Sequence, residues 1–248
     1  MRIAIISDIH GNAIALEALL DDVQHAAVDS IVCLGDAIQG GAQPTQVLAR
    51  LRALGCPLVM GNADHMLLTG SVQPDAEPLN ERQLAVRAWQ LTQLTAADLS
   101  FIEGFQPTVT LALENNRSLL CFHGSPQSFD DIILPHTPDA DVQRMMGAFH
   151  ADVLTGGHTH LQQIRRLGDA LFFNPGSVGF AYSPQQAKDE HFRADPWLEY
   201  AILTAAQGLV NLEFRRVPFD VDAWVHAIHN SGKPDADWQA AMYGRRLA

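Results

Sequence analysis

Several things are scarce in this chain of 248 residues, and each shortage removes a class of protein. There are three cysteines, Cys33, Cys56 and Cys121, an odd number without CxxC spacing, lying in or beside apolar runs. That excludes a disulfide scaffold or a cysteine zinc ribbon and leaves reduced core thiols, as a reducing compartment keeps them. Basic residues are few: 16 Lys and Arg stand against 28 Asp and Glu, for a formal net charge of -12. Such a charge repels polyanions at long range, so no broad nucleic-acid surface is expected, although bound cations can still draw in a small phosphate ester. The first apolar run, residues 3–6, ends at Asp8, too soon for a signal-peptide core or a membrane span. A cytoplasmic setting without a membrane partner is the expectation. No internal repeat occurs, and no motif fixes an oligomeric state.

What remains is ordinary for a globular protein, with 47% apolar and 18% charged residues. The length suits one α/β domain over residues 1–248. Short β-prone runs predict strands at 3–6, 31–34, 57–60, 108–113, 118–122, 152–154, 162–166, 171–173, 198–204 and 209–217. Periodicity and end signals predict helices at about 14–23, 44–54, 79–94, 96–103, 139–149 and 221–229, with a further one around Trp238. Thr95 and Asp98 form a capping box, and the pair of helices within 79–103 is expected to sit over the sheet or beside the site as a partial cap. The first three strands alternate with helices, as in a parallel βαβαβ unit, which puts their ends along one sheet edge, where α/β sheets bind ligands. Residues 108–122 read as an antiparallel hairpin.

Five of the predicted strands stop at side chains that bind metals. The segments are Ser7-Asp8-Ile9-His10, Gly35-Asp36, Gly61-Asn62, Phe122-His123 and Gly157-His158-Thr159-His160, several crossing a glycine where the backbone can turn sharply. A lone histidine at a strand end is ordinarily a hydrogen-bonded core residue, but this many donors converging from five strand ends point to a metal centre. The other histidines lack that context. His226 and His229 read as surface residues, while His25, His136, His150 and His191 read as solvated or structural, with His136 and His191 on loops near the mouth of the cleft. Ser125 lacks a nucleophile elbow and reads as a turn residue. The glycine-rich loop 174–179 lacks the spacing and lysine of a P-loop and reads as a tight turn, and the polar stretch 181–196, with Lys188, as an exposed specificity loop.

Carboxylates, imidazoles and one amide suit a pair of cations that hydrolyses phosphate esters: one ion acidifies a water, both clamp phosphoryl oxygens, and their usual separation is about 3.5 to 4 Å. The mixed nitrogen and oxygen donors suit Mn, Fe or Zn better than Mg or Ca. The order D-x-H, G-D, G-N-x-D, H-G, G-H-x-H resembles the calcineurin-like metallophosphoesterase superfamily over residues 1 to about 180, and the 174–179 loop is similar to one in its small prokaryotic, phosphodiesterase-type branch. The resemblance implies an α/β fold, a four-layer αββα sandwich with mixed β-sheets, and a dinuclear site at the strand ends. Carried over by residue, it implies that Asp8, His10 and His160 hold one metal, Asn62, His123 and His158 the other, and that Asp36 bridges.

The expected function is hydrolysis of a small phosphate ester, foremost a phosphodiester, by in-line attack of a metal-bridging hydroxide, with Asp36, Asn62 and His123 in the catalytic set and Mn the first ion to supply in assays. Position 63 departs from the pattern. Many relatives carry a proton-donating histidine there, whereas this chain reads Gly61-Asn62-Ala63-Asp64-His65. Either the leaving group departs without an acid, or another residue such as His65 substitutes; Asp64 would serve as an orienting partner. The alternatives are a phosphoprotein or dinucleoside-polyphosphate phosphatase and, from another class, a non-catalytic interaction scaffold of the same fold.

Overall fold

The computed structural model describes residues 1–71, 78–186 and 192–244. Its elements in chain order are β1 (Arg2–Ile6), α1 (Ala13–His25), β2 (Ser30–Cys33), α2 (Pro44–Leu54), α3 (Asn62–Thr69), α4 (Glu81–Gln93), α5 (Ala96–Glu103), β3 (Val109–Ala112), β4 (Ser118–Cys121), α6 (Asp139–Met146), β5 (Val153–Thr155), β6 (Gln163–Leu167), β7 (Ala170–Asn174), β8 (Trp197–Ala206), β9 (Leu209–Pro218), α7 (Val221–Asn230) and α8 (Ala236–Ala241).

The alternation of side chains along β1 sets the layering. Ala4 and Ile6 pack with the helical side, while Ile3 and Ile5 pack into a separate cluster with residues of the second sheet. A strand apolar on both faces must be covered on both, and here it is. One sheet has the order β2-β1-β8-β9, the other β3-β4-β5-β7-β6. Within the first, β1 pairs parallel with β2 and antiparallel with β8; within the second, β4, β5 and β7 run parallel between antiparallel β3 and β6.

Three apolar clusters lie between four layers. Leu16 and Leu19 of α1, Leu48 of α2 and Ile102 of α5 join Ala4 and Ile6 on the outer face of the first sheet. Ile3, Ile5, Leu119, Val153 and Phe173 fill the space between the sheets. Val142 and Met146 of α6 cover Leu120, Leu154 and Phe172 on the far face of the second. This is the expected αββα sandwich with two mixed sheets. A fourth cluster joins Trp224 and Ile228 of α7 to Ala240, Met242 and Tyr243, with Ile14 and Phe180 packed against it. Among the described residues no helix is long and apolar enough to cross a membrane.

The structure differs from the sequence reading in two places. The strand expected at 57–60 is reduced to isolated parallel bridges, Cys33 to Leu58 and Val59 to Gln106. Pro57 has no N–H to give a ladder, and α3, which the sequence reading did not foresee, starts two residues after Met60. Of the three ligands expected along one sheet edge, Asn62 instead opens α3. Asp8 and Asp36 follow β1 and β2 of one sheet, whereas His123 and the His158–His160 pair follow β4 and β5 of the other. Lys188 and His191 lie outside the described residues.

Candidate metal centre

The two sheets bring their strand ends together so that six donors form two groups. Asp8, His10 and His160 make one, and Asp36, His123 and His158 the other, with all candidate ligand atoms of a group within 4.8 Å of one another. Asn62 joins the second group, its Oδ1 3.0 Å from His123 Nε2. Asp36 lies between the groups: its Oδ2 is 3.5 Å from His123 Nε2 and 3.8 Å from His10 Nε2. Asp8 Oδ1 leans toward the first, at 3.3 Å from His160 Nε2, 3.8 Å from His10 Nε2 and 4.0 Å from His123 Nε2. All seven residues anticipated from the sequence meet at this one place.

The backbone is bent to make this possible. Asp8, His10, Asp36, His158 and His160 all have positive φ, between 46° and 68°, a conformation that costs a non-glycine residue energy and clusters at functional sites. Parallel loops hold them there. Asp8 N–H donates to Gly35 O at 3.0 Å and His10 N–H to Asp36 O at 2.9 Å. Both oxygens of buried Asp64 accept backbone donors, from Asp36 at 2.7 Å, Ala37 at 2.9 Å and Gly61 at 3.2 Å, so it shapes the loop that presents Asp36. Burial and the Asp36 charge push Asp64 up to about 7 against the pull of those donors.

Three imidazoles have their tautomer fixed from outside. Nδ1 of His10 contacts Gln39 O at 2.9 Å, that of His123 Leu34 O at 2.8 Å and that of His160 Phe180 O at 2.7 Å. A carbonyl only accepts, so each Nδ1 carries the proton and each Nε2 of a neutral ring turns a lone pair inward. His10 Nε2 then faces His160 Nε2 at 3.1 Å, and His123 Nε2 faces the Asn62 oxygen. Acceptors opposed at such distances need a proton or a metal ion between them. Asp8 Oδ1 adds a buried oxygen without a hydrogen-bond partner. The donor set therefore fits two divalent ions held by mixed nitrogen and oxygen ligands.

Charge makes the same point. Burial alone would lift the Asp8 carboxyl, but the nearby His160, His123 and His10 imidazoles outweigh it and hold it well below the usual range. Burial would lower His123, yet Asp36 and Asp8 pull it up to about 10. His158 moves down through burial and the positive His123 beside it. Without metal, the site compensates its carboxylates with protons.

Some supporting contacts were not foreseen from the sequence, among them those of the 174–179 loop, which reads there as a tight turn. Asn174 Nδ2 donates to Gly157 O at 2.6 Å, and Ser177 Oγ to Asp8 O at 2.8 Å, so the 174–179 loop ties the end of β5 to the end of β1. Buried polar residues straight after an apolar strand were the available signal. At the other side, Gln90 of α4 donates to Ile38 O at 2.7 Å, while Lys233 Nζ and Gln239 Nε2 donate to Gly40 O at 2.8 and 3.2 Å. These clamps bracket Gln39, whose carbonyl orients His10. Ser125 is a turn residue as read, its Oγ donating to Asp131 and accepting from the Gln127 and Ser128 backbone.

A cleft of about 370 Å³ opens from the centre, lined by His10, Asp36, Asn62, His158 and His160 and also by Ala63. His65 is not part of that lining; its ring lies 5.7 Å from Phe129.

Residues 1–194 match the family model described as the calcineurin-like phosphoesterase superfamily domain. The chain belongs to that superfamily. Its metallophosphoesterase members are divalent-metal-dependent enzymes, and this chain carries two candidate ligand groups for such ions. Similar proteins are an uncharacterised protein, MJ0912, of Methanocaldococcus jannaschii, 26% identical over 181 residues that make up 71% of this chain and 69% of the relative. Among solved structures, a metallophosphoesterase from Sphaerobacter thermophilus superposes with TM-score 0.71 at 24% identity, covering 97% of this chain and 98% of that one. Hypothetical protein PH1004 of Pyrococcus horikoshii OT3 gives 0.78 at 17% identity, covering 98% and 97%. Both share the metallophosphoesterase fold along nearly the whole chain.

Proposed function

We propose that this metallophosphoesterase hydrolyses phosphodiesters, with two divalent ions bound between Asp8, His10 and His160 on one side and Asn62, His123 and His158 on the other, and Asp36 shared. The observation that carries the reading is Asp36 Oδ2, within 4 Å of an imidazole from each group, beside a cleft wall in which position 63 is alanine. Two such ions supply Lewis acidity, making a water nucleophilic and neutralising phosphoryl charge. The chain does the rest.

Ala63 N–H donates to Asp36 Oδ1 at 2.9 Å, which fixes the carboxylate and leaves Oδ2 directed at both groups. Asn62 and His158 line the cleft where the phosphoryl group must sit. Water oxygen bonds to phosphorus as the ester P–O bond breaks, giving a phosphomonoester and an alcohol, with one water proton ending on the alcohol and the other in solvent. No side chain at 63 can deliver that proton. Esters whose leaving oxygen is stable as an anion are therefore favoured, and a diester, carrying one negative charge, suits a cleft whose lining includes neither lysine nor arginine among the described residues.

The same reading takes manganese as the ion to load, a cytoplasmic setting, and residues 1–248 as one domain with α4 and α5 as its partial cap. The test is the rate of manganese-loaded protein on bis(p-nitrophenyl) phosphate against that on glycerol phosphate. Faster turnover of the alkyl monoester would overturn the diester reading, and metal analysis showing far fewer than two ions per chain would overturn the shared-carboxylate arrangement.

A further inference from the structure

The cleft has a second wall that the metal-binding strands do not build. Phe180 comes from the end of the 174–180 loop, and Trp238 and Met242 from α8 and its C-cap, beyond residue 194 where the family match stops. Gln39 and Gln83 line the same cleft. Gln83 spends its Oε1 on the Asn80 N–H at 2.9 Å, which leaves its NH2 as a donor for a ligand.

This wall is held rigidly against the metal loops. Gln239 donates to Gly40 O at 3.2 Å, Lys233 to Gly40 O at 2.8 Å, and Tyr243 Oη to Gly179 O at 3.3 Å. Trp238 is nevertheless half-exposed, its ring kept in place by the Arg82 guanidinium 3.5 Å over the centroid. Half-exposed Trp238, covered on one face by Arg82, together with Phe180 and the largely buried Met242, gives the cleft a surface for a flat polarisable group.

We propose that the Phe180, Trp238 and Met242 wall is a subsite for a planar heterocyclic ring, nucleobase-like, carried by the ester group that stays on phosphorus. The inference rests on the phosphodiesterase reading for the position of the phosphorus and on its own residues for the ring. An alkyl chain would use the apolar wall but offer nothing to the Gln83 NH2, whereas the edge of a heterocycle offers it an acceptor. A cleft of about 370 Å³ is within the size of small-ligand pockets, about 300 to 1,000 Å³.

The experiment compares two diesters with the same leaving group on full-length, manganese-loaded protein: thymidine 5′-(p-nitrophenyl phosphate) and methyl p-nitrophenyl phosphate. The nucleoside ester is expected to show a KM at least tenfold lower, since stacking on aromatic side chains is worth about that much or more. Trp238→Ala should shrink the difference to about twofold. A readout independent of turnover is quenching of tryptophan emission by thymidine 5′-monophosphate, which should disappear in Trp238→Phe while the KM preference, resting on any aromatic wall, survives. Equal KM values for the two esters, or quenching that persists in Trp238→Phe, overturns the subsite. If neither diester is turned over, the catalytic reading fails and the quenching assay still decides the subsite. Should Trp238→Ala fold poorly, the quenching assay on Trp238→Phe decides the subsite.

Discussion

A carboxylate that serves two cations must be reachable from both and fixed by something that is neither. Asp36 meets both conditions, its Oδ1 held by the Ala63 N–H and its backbone N–H by Asp64. Asp36→Asn removes charge from both groups at once, and even loss of an outer partner typically costs about 10- to 100-fold in metal affinity. The expected outcome is at least that loss for each ion by calorimetric titration; retention of parental affinity at either would show that Asp36 serves a single metal. Ala63 gives a second residue-level test. It lies in the first turn of α3 with its methyl group on the cleft lining, so Ala63→His points an imidazole into the space where a leaving group departs. A positioned acid contributes about 10² to 10⁴ in rate. Turnover of glycerol phosphate should therefore rise by roughly 10², with a smaller change for bis(p-nitrophenyl) phosphate. His65 does not fill this place in the structure, because its ring turns to Phe129.

At the scale of elements, the strands and the ligands that end them were legible because both signals are local. Apolar runs ending in Asp, Asn or His are visible in a few residues of sequence, and the capping box of α5 was legible for the same reason: Thr95 Oγ1 accepts from Asp98 N–H and Asp98 returns the bond at 2.9 Å. What was hidden depends on contacts far apart in the chain. The start of α3 was masked by Asn62, which reads as a strand-end ligand and is also the first helical residue, and the clamp on Gly40 joins residues 193 and 199 positions away. Glycines near the ligands were read as sharp turns, and for Gly61 the reason is different. Its φ is -90°, open to any residue, but a Cβ there would lie 2.1 Å from Asp36 Oδ1 and 2.4 Å from Asp36 N. The glycine is there for closeness. Gly61→Ala should consequently weaken metal binding by about tenfold or more while metal-free protein retains its secondary structure by circular dichroism; unchanged metal affinity would mean that α3 moves aside without displacing Asp36.

For the molecule as a whole, the metal centre adds to the apolar packing and the loop hydrogen bonds that join the two sheets, so ion binding and folding are coupled. Each ion present at about 1,000 times its dissociation constant adds about 4 kcal/mol of stability, so a pair adds about 8 kcal/mol. At about 2–4 °C per kcal/mol for a chain of this size, stripping both with a chelator should lower Tm by roughly 16–32 °C. The sign of the pH dependence follows from His123. In metal-free protein, burial works to lower its pKa, but Asp36 and Asp8 raise it to about 10, so at neutral pH the ring is protonated; as a ligand it must be neutral. Binding therefore expels a proton at any pH below about 10, and apparent metal affinity should climb about tenfold per pH unit between pH 6 and 8 for that one proton. His160, also raised against its burial by Asp8, adds to the slope where it is still protonated. Titrating manganese into chelator-treated protein in weak buffer with a pH indicator measures the release directly, with one proton or more per chain expected at pH 7. In Asp36→Asn the nearest charge holding that proton is gone, and the release at pH 7 should fall. A parental protein that takes up metal with no proton release, and with affinity flat across pH 6 to 8, would mean that His123 is already neutral and that Asp8 and Asp36 do not share a proton with it.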